Sequence, residues 1–249
     1  MRTCSLRLRG RATVAGSGLL CDALKIITPE STSDCNFHTG LNSLDAIAPH
    51  GGFQRGAVHE LLWRTRTSPA SSFALLLAKA AQPDEGGAIM WNDPKRRLYP
   101  PALHTAGIDL QRLMLIRCTN ADRAQELWAL TECLRCRGVC AVVSAVGELS
   151  RVEARRLQLA AERGGGVGLL MRPFAPGKSI HYSAATRWLI EPVPGDEITQ
   201  RWRVELIHGH GGQVGSSVLL EVNRETNLVC ASEKLADSSA PAEAARTSA

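Results

Sequence analysis

Apolar and polar positions along the chain change their spacing several times, and these changes mark its elements. Compact apolar runs at 57–63, 87–92, 113–117, 139–146 and 167–172 predict buried strands. Between them, apolar residues recur at helical spacing over 71–81, 99–106, 121–137 and 151–163, with Leu127, Leu130 and Leu134 on one face of the third helix. Ser150 followed by Glu153 is a capping-box signature at the start of the fourth helix, and Gly164, Gly165 and Gly166 end it. Strands alternating with helices predict an α/β fold with a mostly parallel central sheet flanked by helices. After Ser183 the pattern shifts. Residues 186–193, 202–208 and 217–222 read as strands joined by Gly/Pro-rich turns, extending the sheet with antiparallel or mixed neighbours.

Composition sets the organisation. The 249 residues, 44% hydrophobic and 21% charged, suit one domain with tails. With aromatics at 4%, the core has to rest on Leu, Val, Ile and Ala. Residues 1–36 carry Arg2, Arg7, Arg9 and Arg11 and read as a basic, weakly structured arm or a mis-assigned start. Residues 37–231 form the α/β domain, and the Ala/Ser/Pro/Glu-rich stretch 232–249 reads as a disordered tail. A net charge of +5 and a pI near 8.9 permit nucleic acid or an acidic partner without demanding either. No apolar run approaches the roughly 20 residues of a membrane helix, and no secretory segment is evident, so a cytoplasmic protein is expected. Of eight cysteines only Cys133, Cys136 and Cys140 cluster, and Cys140 is expected to point away from the other two. Without a fourth ligand no metal is expected there. The His208/His210 pair reads as part of an exposed hairpin, and Gly209–Gly215 as a turn.

The stretch 56–81 changes the picture most. A strand, a loop and a helix in that order are the layout of a phosphate-binding P-loop, in which backbone N–H groups and a lysine hold the phosphates. Here the loop Trp63-Arg64-Thr65-Arg66-Thr67-Ser68-Pro69-Ala70 has neither glycine nor lysine. Ala70 stands where the lysine belongs, and Pro69 has no N–H to donate. Ser71 and Ser72 retain hydroxyls, but with no phosphate grip beside them.

FHTGLNSLDAIAPHGGFQRGAVHELL (residues 37–62) resembles the start of the RecA-type recombinase core. WNDPKRRLYPPALHTAGIDLQRLMLIR (91–117) and VCAVVSAVGELS (139–150) are similar to its later strands and turns, so the likeness spans about 37–222. Within that superfamily GAVHELL, LYPPAL, AGIDL, LWALTECLR, RRLQLAAERGGG and SAATRWLIEP resemble the ImuA family, with SulA-type division inhibitors as the nearest competitor. The resemblance implies a RecA-like fold with a degenerate nucleotide site. Lys95 stands at the position of the recombinase glutamate that activates water, and Ser144 at that of the Walker B aspartate. Together with the loop, these replacements imply no ATP hydrolysis, no cofactor and no catalytic residues.

Two functions follow from the resemblance. One is a non-enzymatic accessory protein of SOS-induced translesion synthesis. It would act as an adaptor between an ImuB-type Y-family-like polymerase homologue and an error-prone DnaE-type polymerase, with RecA as a further partner. The alternative is a SulA-like inhibitor of the tubulin-like division GTPase. An ATPase with an unorthodox site is a third class. Candidate DNA or partner contacts are Lys95, Arg96 and Arg97 after a strand end, and Arg151, Arg155 and Arg156 on the fourth helix. Phosphate contact by that helix competes with a merely solvated face, because aromatic residues for base stacking are missing.

Overall fold

The computed structural model describes residues 35–65, 67–82, 86–117, 123–175 and 183–232. The expected arm and tail therefore fall almost wholly outside the described residues. A short hairpin-like pair, β1 (Asn36–Phe37) with β2 (Phe53–Gln54), frames helix α1 (Asn42–Ile47). The main sheet contains β3 (Val58–Trp63), β4 (Ala88–Asn92), β5 (Leu113–Ile116), β6 (Val139–Ala145), β7 (Val167–Pro173), β8 (Thr186–Val193), β9 (Thr199–Gly209), β10 (Ser217–Asn223) and β11 (Val229–Ala231). Its order is β11-β10-β9-β8-β3-β7-β6-β4-β5. All strands from β5 to β8 in that order run parallel, and β9, β10 and β11 add on antiparallel. The expected extension is thus mixed: β8 joins β3 in parallel before the direction alternates.

Helices α2 (Ala70–Ala81), α3 (Pro100–Thr105), α4 (Arg123–Arg135) and α5 (Arg151–Gly164) connect the parallel strands. Because side chains alternate across a strand, the two sheet faces form separate cores. Phe73, Leu77 and Ala78 of α2 pack with Leu61, Ile89, Val143 and Leu169 on one face, in a cluster that continues over Trp188, Trp202 and Leu220. On the other face Leu130, Cys133 and Leu134 of α4 and Leu157, Ala160 and Ala161 of α5 pack with Met90, Val142 and Leu170. Cys140 lies in the first core and Cys133 and Cys136 in the second, so the three thiols diverge as expected. Burial pushes the Cys140 thiol up to about 11, well outside the reactive range.

The start and end of α5 match the sequence signals. Ser150 Oγ accepts from Glu153 N (3.3 Å), and the Glu153 carboxylate accepts from Ser150 N (2.7 Å). Arg123, at the head of α4, donates to both oxygens of the same carboxylate (3.2 and 3.1 Å). Arg123 first, and then the Ser150 N–H, hold Glu153 down to about 2. The glycine run does more than end the helix. A Cβ on Gly164 would collide with the carbonyl of Leu134 at the end of α4, and one on Gly166 with the carbonyl of Val139 at the start of β6. Only Gly165, at φ 80°, supplies the left-handed cap.

β3 is the centre of the sheet and carries two buried polar groups on opposite faces. His59 Nε2 donates to the Gln54 carbonyl (2.9 Å), and its Nδ1 accepts from Thr186 Oγ1 (2.7 Å), which in turn accepts from Trp188 Nε1 (2.7 Å). This set fits one neutral tautomer, with Nε2 donating. Glu60 bridges the neighbouring strands: Oε1 accepts from Arg172 of β7 (2.7 Å) and Oε2 from Arg187 of β8 (2.8 Å).

Two outcomes follow. Burial lowers the His59 pKa from 6.5 to about 4, so the unfolded chain binds this proton first as pH falls. Its contribution to stability is complete above pH 6.5 and shrinks by up to ~1.4 kcal/mol per pH unit down to about pH 4. Urea titrations across that window should give a shallower pH slope for His59→Gln than for wild type. Gly164→Ala should destabilise by about 1–3 kcal/mol through overpacking, whereas Gly165→Ala should cost less. Equal losses at the two positions in thermal melts would contradict the close-approach account.

Candidate functional site

The carboxyl ends of the parallel strands form one edge of the sheet, where open α/β folds place their ligands. The loop after β3 lies on that edge but turns toward β8. Trp63 ends β3, and its carbonyl accepts from Phe174 N (2.7 Å). Arg64 pairs with Glu191 of β8 (3.1 Å), and its guanidinium sits over the Phe174 ring at 4.3 Å. Ser68 Oγ donates to the Ile190 carbonyl (2.7 Å). Pro69 is the N-cap of α2, is buried, and makes no side-chain cap bond. Ala70 is buried too, whereas Ser71 and Ser72 are exposed on the first turn. The loop is thus fastened sideways to β8 through Ser68 and Arg64.

A shallow cleft of about 250 Å³ opens beside the loop, lined by Arg64, Thr65, Arg203 and β8 residues Ile190 to Val193. Its two guanidinium groups share one carboxylate, Glu191, with Arg203 at 2.9 Å.

Ser144 is fully buried near the end of β6. Asn92 Nδ2 at the end of β4 donates to its Oγ (3.0 Å) and to Glu126 of α4 (2.7 Å). The alternation of β6 sets Val143 against the α2 core and Ser144 on the face that α4 covers. Ser144 and the helix after the loop therefore lie on opposite sides of the sheet, and β7 separates β6 from β3. Asn92 Oδ1 is buried with no hydrogen-bond partner among the described residues. Asn92 and Glu126 were not among the residues singled out from sequence. An Asn-Asp pair closing an apolar strand was the available signal.

Lys95 lies one turn beyond β4. The buried Asp93 carboxylate organises this turn, accepting from Arg97 N (2.8 Å) and Leu98 N (3.2 Å). Arg96 adopts φ 52°, the left-handed region, and Lys95, Arg96 and Arg97 are all exposed. Arg151, Arg155 and Arg156 are exposed on α5, and Arg155 pairs loosely with Glu162 (3.6 Å). The structure therefore carries the two basic patches on different elements, the turn after β4 and the helix after β6. His208 and His210 stack edge to face at 5.3 Å, and burial lowers the His208 pKa. No group of three or more His, Cys, Asp or Glu among the described residues could hold a metal. No helix among them is long and apolar enough to cross a membrane.

Known proteins give the arrangement a lineage. No protein-family model matches the chain. Protein ImuA of Caulobacter vibrioides (strain NA1000 / CB15N) is 34% identical over 200 residues, covering 72% of this chain and 81% of the relative. Protein ImuA of strain ATCC 19089 / CIP 103742 / CB 15 gives the same figures. The chain belongs to the ImuA family. The RadB recombinase superposes with a TM-score of 0.61 at 14% identity, covering 79% of this chain and 100% of that one. The fold is RecA-like, as the sequence resemblance implied.

The environment of Ser144 generates a direct test. Ser144→Asp restores the acid expected at a Walker B position, yet buries a carboxylate beside Glu126. It should lower stability by about 3 kcal/mol or more, as for an uncompensated buried charge. Added Mg²⁺ should restore none of the loss in thermal melts. A Mg²⁺-dependent rise in melting temperature would show that a metal-binding pocket survives.

Proposed function

We propose that this chain is a non-enzymatic accessory protein of SOS-induced translesion synthesis. It acts as an adaptor that joins an ImuB-type Y-family-like protein to an error-prone DnaE-type polymerase, and RecA is a further partner. Its membership of the ImuA family carries this reading. The local geometry supports the non-enzymatic part. The loop after β3 has no glycine or lysine, places a proline at the helix cap, and spends Ser68 and Arg64 on β8. A P-loop works through free N–H groups and a lysine aimed at phosphate, and this loop is committed to protein contacts instead. By the resemblance, the exposed cation Lys95 stands where a base would be needed, and the buried Ser144, hydrogen-bonded by Asn92, stands where an acid would hold the metal. The function then rests on recruitment through surfaces of a recombinase-like body.

Co-purification tests the adaptor role. Soluble full-length protein should capture the ImuB-type partner, and failure to do so would count against the reading. Calorimetry with ATP and Mg²⁺ should register no binding. Micromolar affinity with turnover would replace the adaptor by an ATPase, and filamentation on overexpression without partner capture would favour division inhibition.

A further inference from the structure

Helix α5 carries a row of side chains that its packing does not use. Val152 is 73% exposed and Leu159 41% exposed, seven residues apart; Arg156 and Arg163 are exposed at the same interval. Positions separated by four, seven and eleven residues share one line along a helix. The row therefore alternates apolar and cationic groups over the length of α5: Val152, Arg156, Leu159, Arg163.

The acids of α5 do not neutralise this row. Glu153 is held by Arg123 and by the Ser150 backbone, and Glu162 by Arg155 and Gln158. Neither Arg156 nor Arg163 makes an ion pair among the described residues. The face is also fixed in place, by a capping box at one end and the Gly165 cap at the other. The backbone of the face therefore needs no ordering when a partner docks on it, and only side chains are left to be fixed.

We infer that this row is a docking surface for an acidic amphipathic helix of a protein partner. Alternation at heptad spacing is what a facing helix requires, with apolar side chains meeting Val152 and Leu159 and flanking carboxylates meeting Arg156 and Arg163. Charge complementarity selects an acidic occupant. The two exposed aliphatic side chains select protein over nucleic acid, because a phosphate backbone leaves them without a partner and the row has no aromatic ring for bases. The identity of the partner rests on the adaptor reading; the chemistry of the row does not.

Two arms test this. In the first, a three-heptad peptide with Leu at core positions and Glu at the flanks is compared by fluorescence anisotropy with its scrambled version and with duplex DNA. Wild type should prefer the ordered peptide about tenfold. The pairs Val152→Ser with Leu159→Ser, and Arg156→Glu with Arg163→Glu, should each abolish that preference, while the exposed control Arg137→Glu keeps it. Unchanged melting temperatures confirm that the variants are folded. No preference in wild type, or preference retained in the variants, overturns the proposal. So does DNA binding that is lost with the arginines and kept with the serines. In the second arm, capture of the ImuB-type partner is compared across the same proteins. Capture lost in both pairs assigns the row to that partner. Capture by wild type and both pairs alike overturns that assignment and leaves the adaptor role standing. No capture by wild type removes the adaptor role, and the peptide arm alone then decides the row.

Discussion

The sheet depends on a single carboxylate. Glu60 lies on β3 with one oxygen on Arg172 of β7 and the other on Arg187 of β8. It ties β3 to both of its parallel neighbours, and the second of these, β8, is the strand on which the antiparallel extension is built. A buried acid between two arginines repays its desolvation only through good geometry, and breaking such a set costs about 3–5 kcal/mol because a charge is left behind. On the reverse face of the same strand, His59 performs the matching task with neutral groups, binding β8 through Thr186 and the preceding hairpin through Gln54. β3 is therefore tied to β8 on both faces, and the loop that follows it inherits that attachment.

This inheritance explains the shape of the candidate site. The loop leaves β3 already aligned with β8, and Ser68 and Arg64 extend the attachment by one more turn. Two of its side chains are thereby committed to protein contacts. Next to it, the cleft of Arg64, Glu191 and Arg203 is likewise held by ion pairs, with two guanidinium groups on one carboxylate. Ion pairs across the exposed face of β9 and β10, such as Arg201 with Glu221, continue the pattern outward. Exposed cations with no ion-pair partner among the described residues also stand on the turn after β4 and along α5, at Lys95, Arg96 and Arg97 and at Arg156 and Arg163.

Much of this was legible from residue order. The alternation of apolar runs and helical spacing located every long strand and helix to within a few residues, because each of these elements buries a continuous face. The capping box of α5 was legible for the same reason: its bonds are local in sequence. Helix α1, the pair β1–β2 and strand β11 were not located; the strands, two or three residues long, are too short to show an alternation. Asp45, which accepts from the Thr39 N–H and hydroxyl, fixes that opening segment through a contact that pattern cannot reveal. At the candidate site the identities of Lys95 and Ser144 could be read, but their surroundings could not. The union of Ser144 with Asn92 and Glu126 joins residues 52 and 34 positions apart, on three elements, and periodicity carries no information about such triples.

The glycine run at the end of α5 has a consequence for how this protein can change over time. Gly164, Gly165 and Gly166 are identical letters with three different tasks: admitting the end of α4, turning the chain left-handed, and admitting the start of β6. A tract of repeated residues usually tolerates slippage, because losing or gaining one unit leaves the same composition. Here one deletion would shift each remaining glycine into its neighbour's task and bring a side chain against a carbonyl. The tract is uniform in spelling and indivisible in geometry, so a lineage can neither shorten nor lengthen it without rebuilding the junction of two helices and a strand.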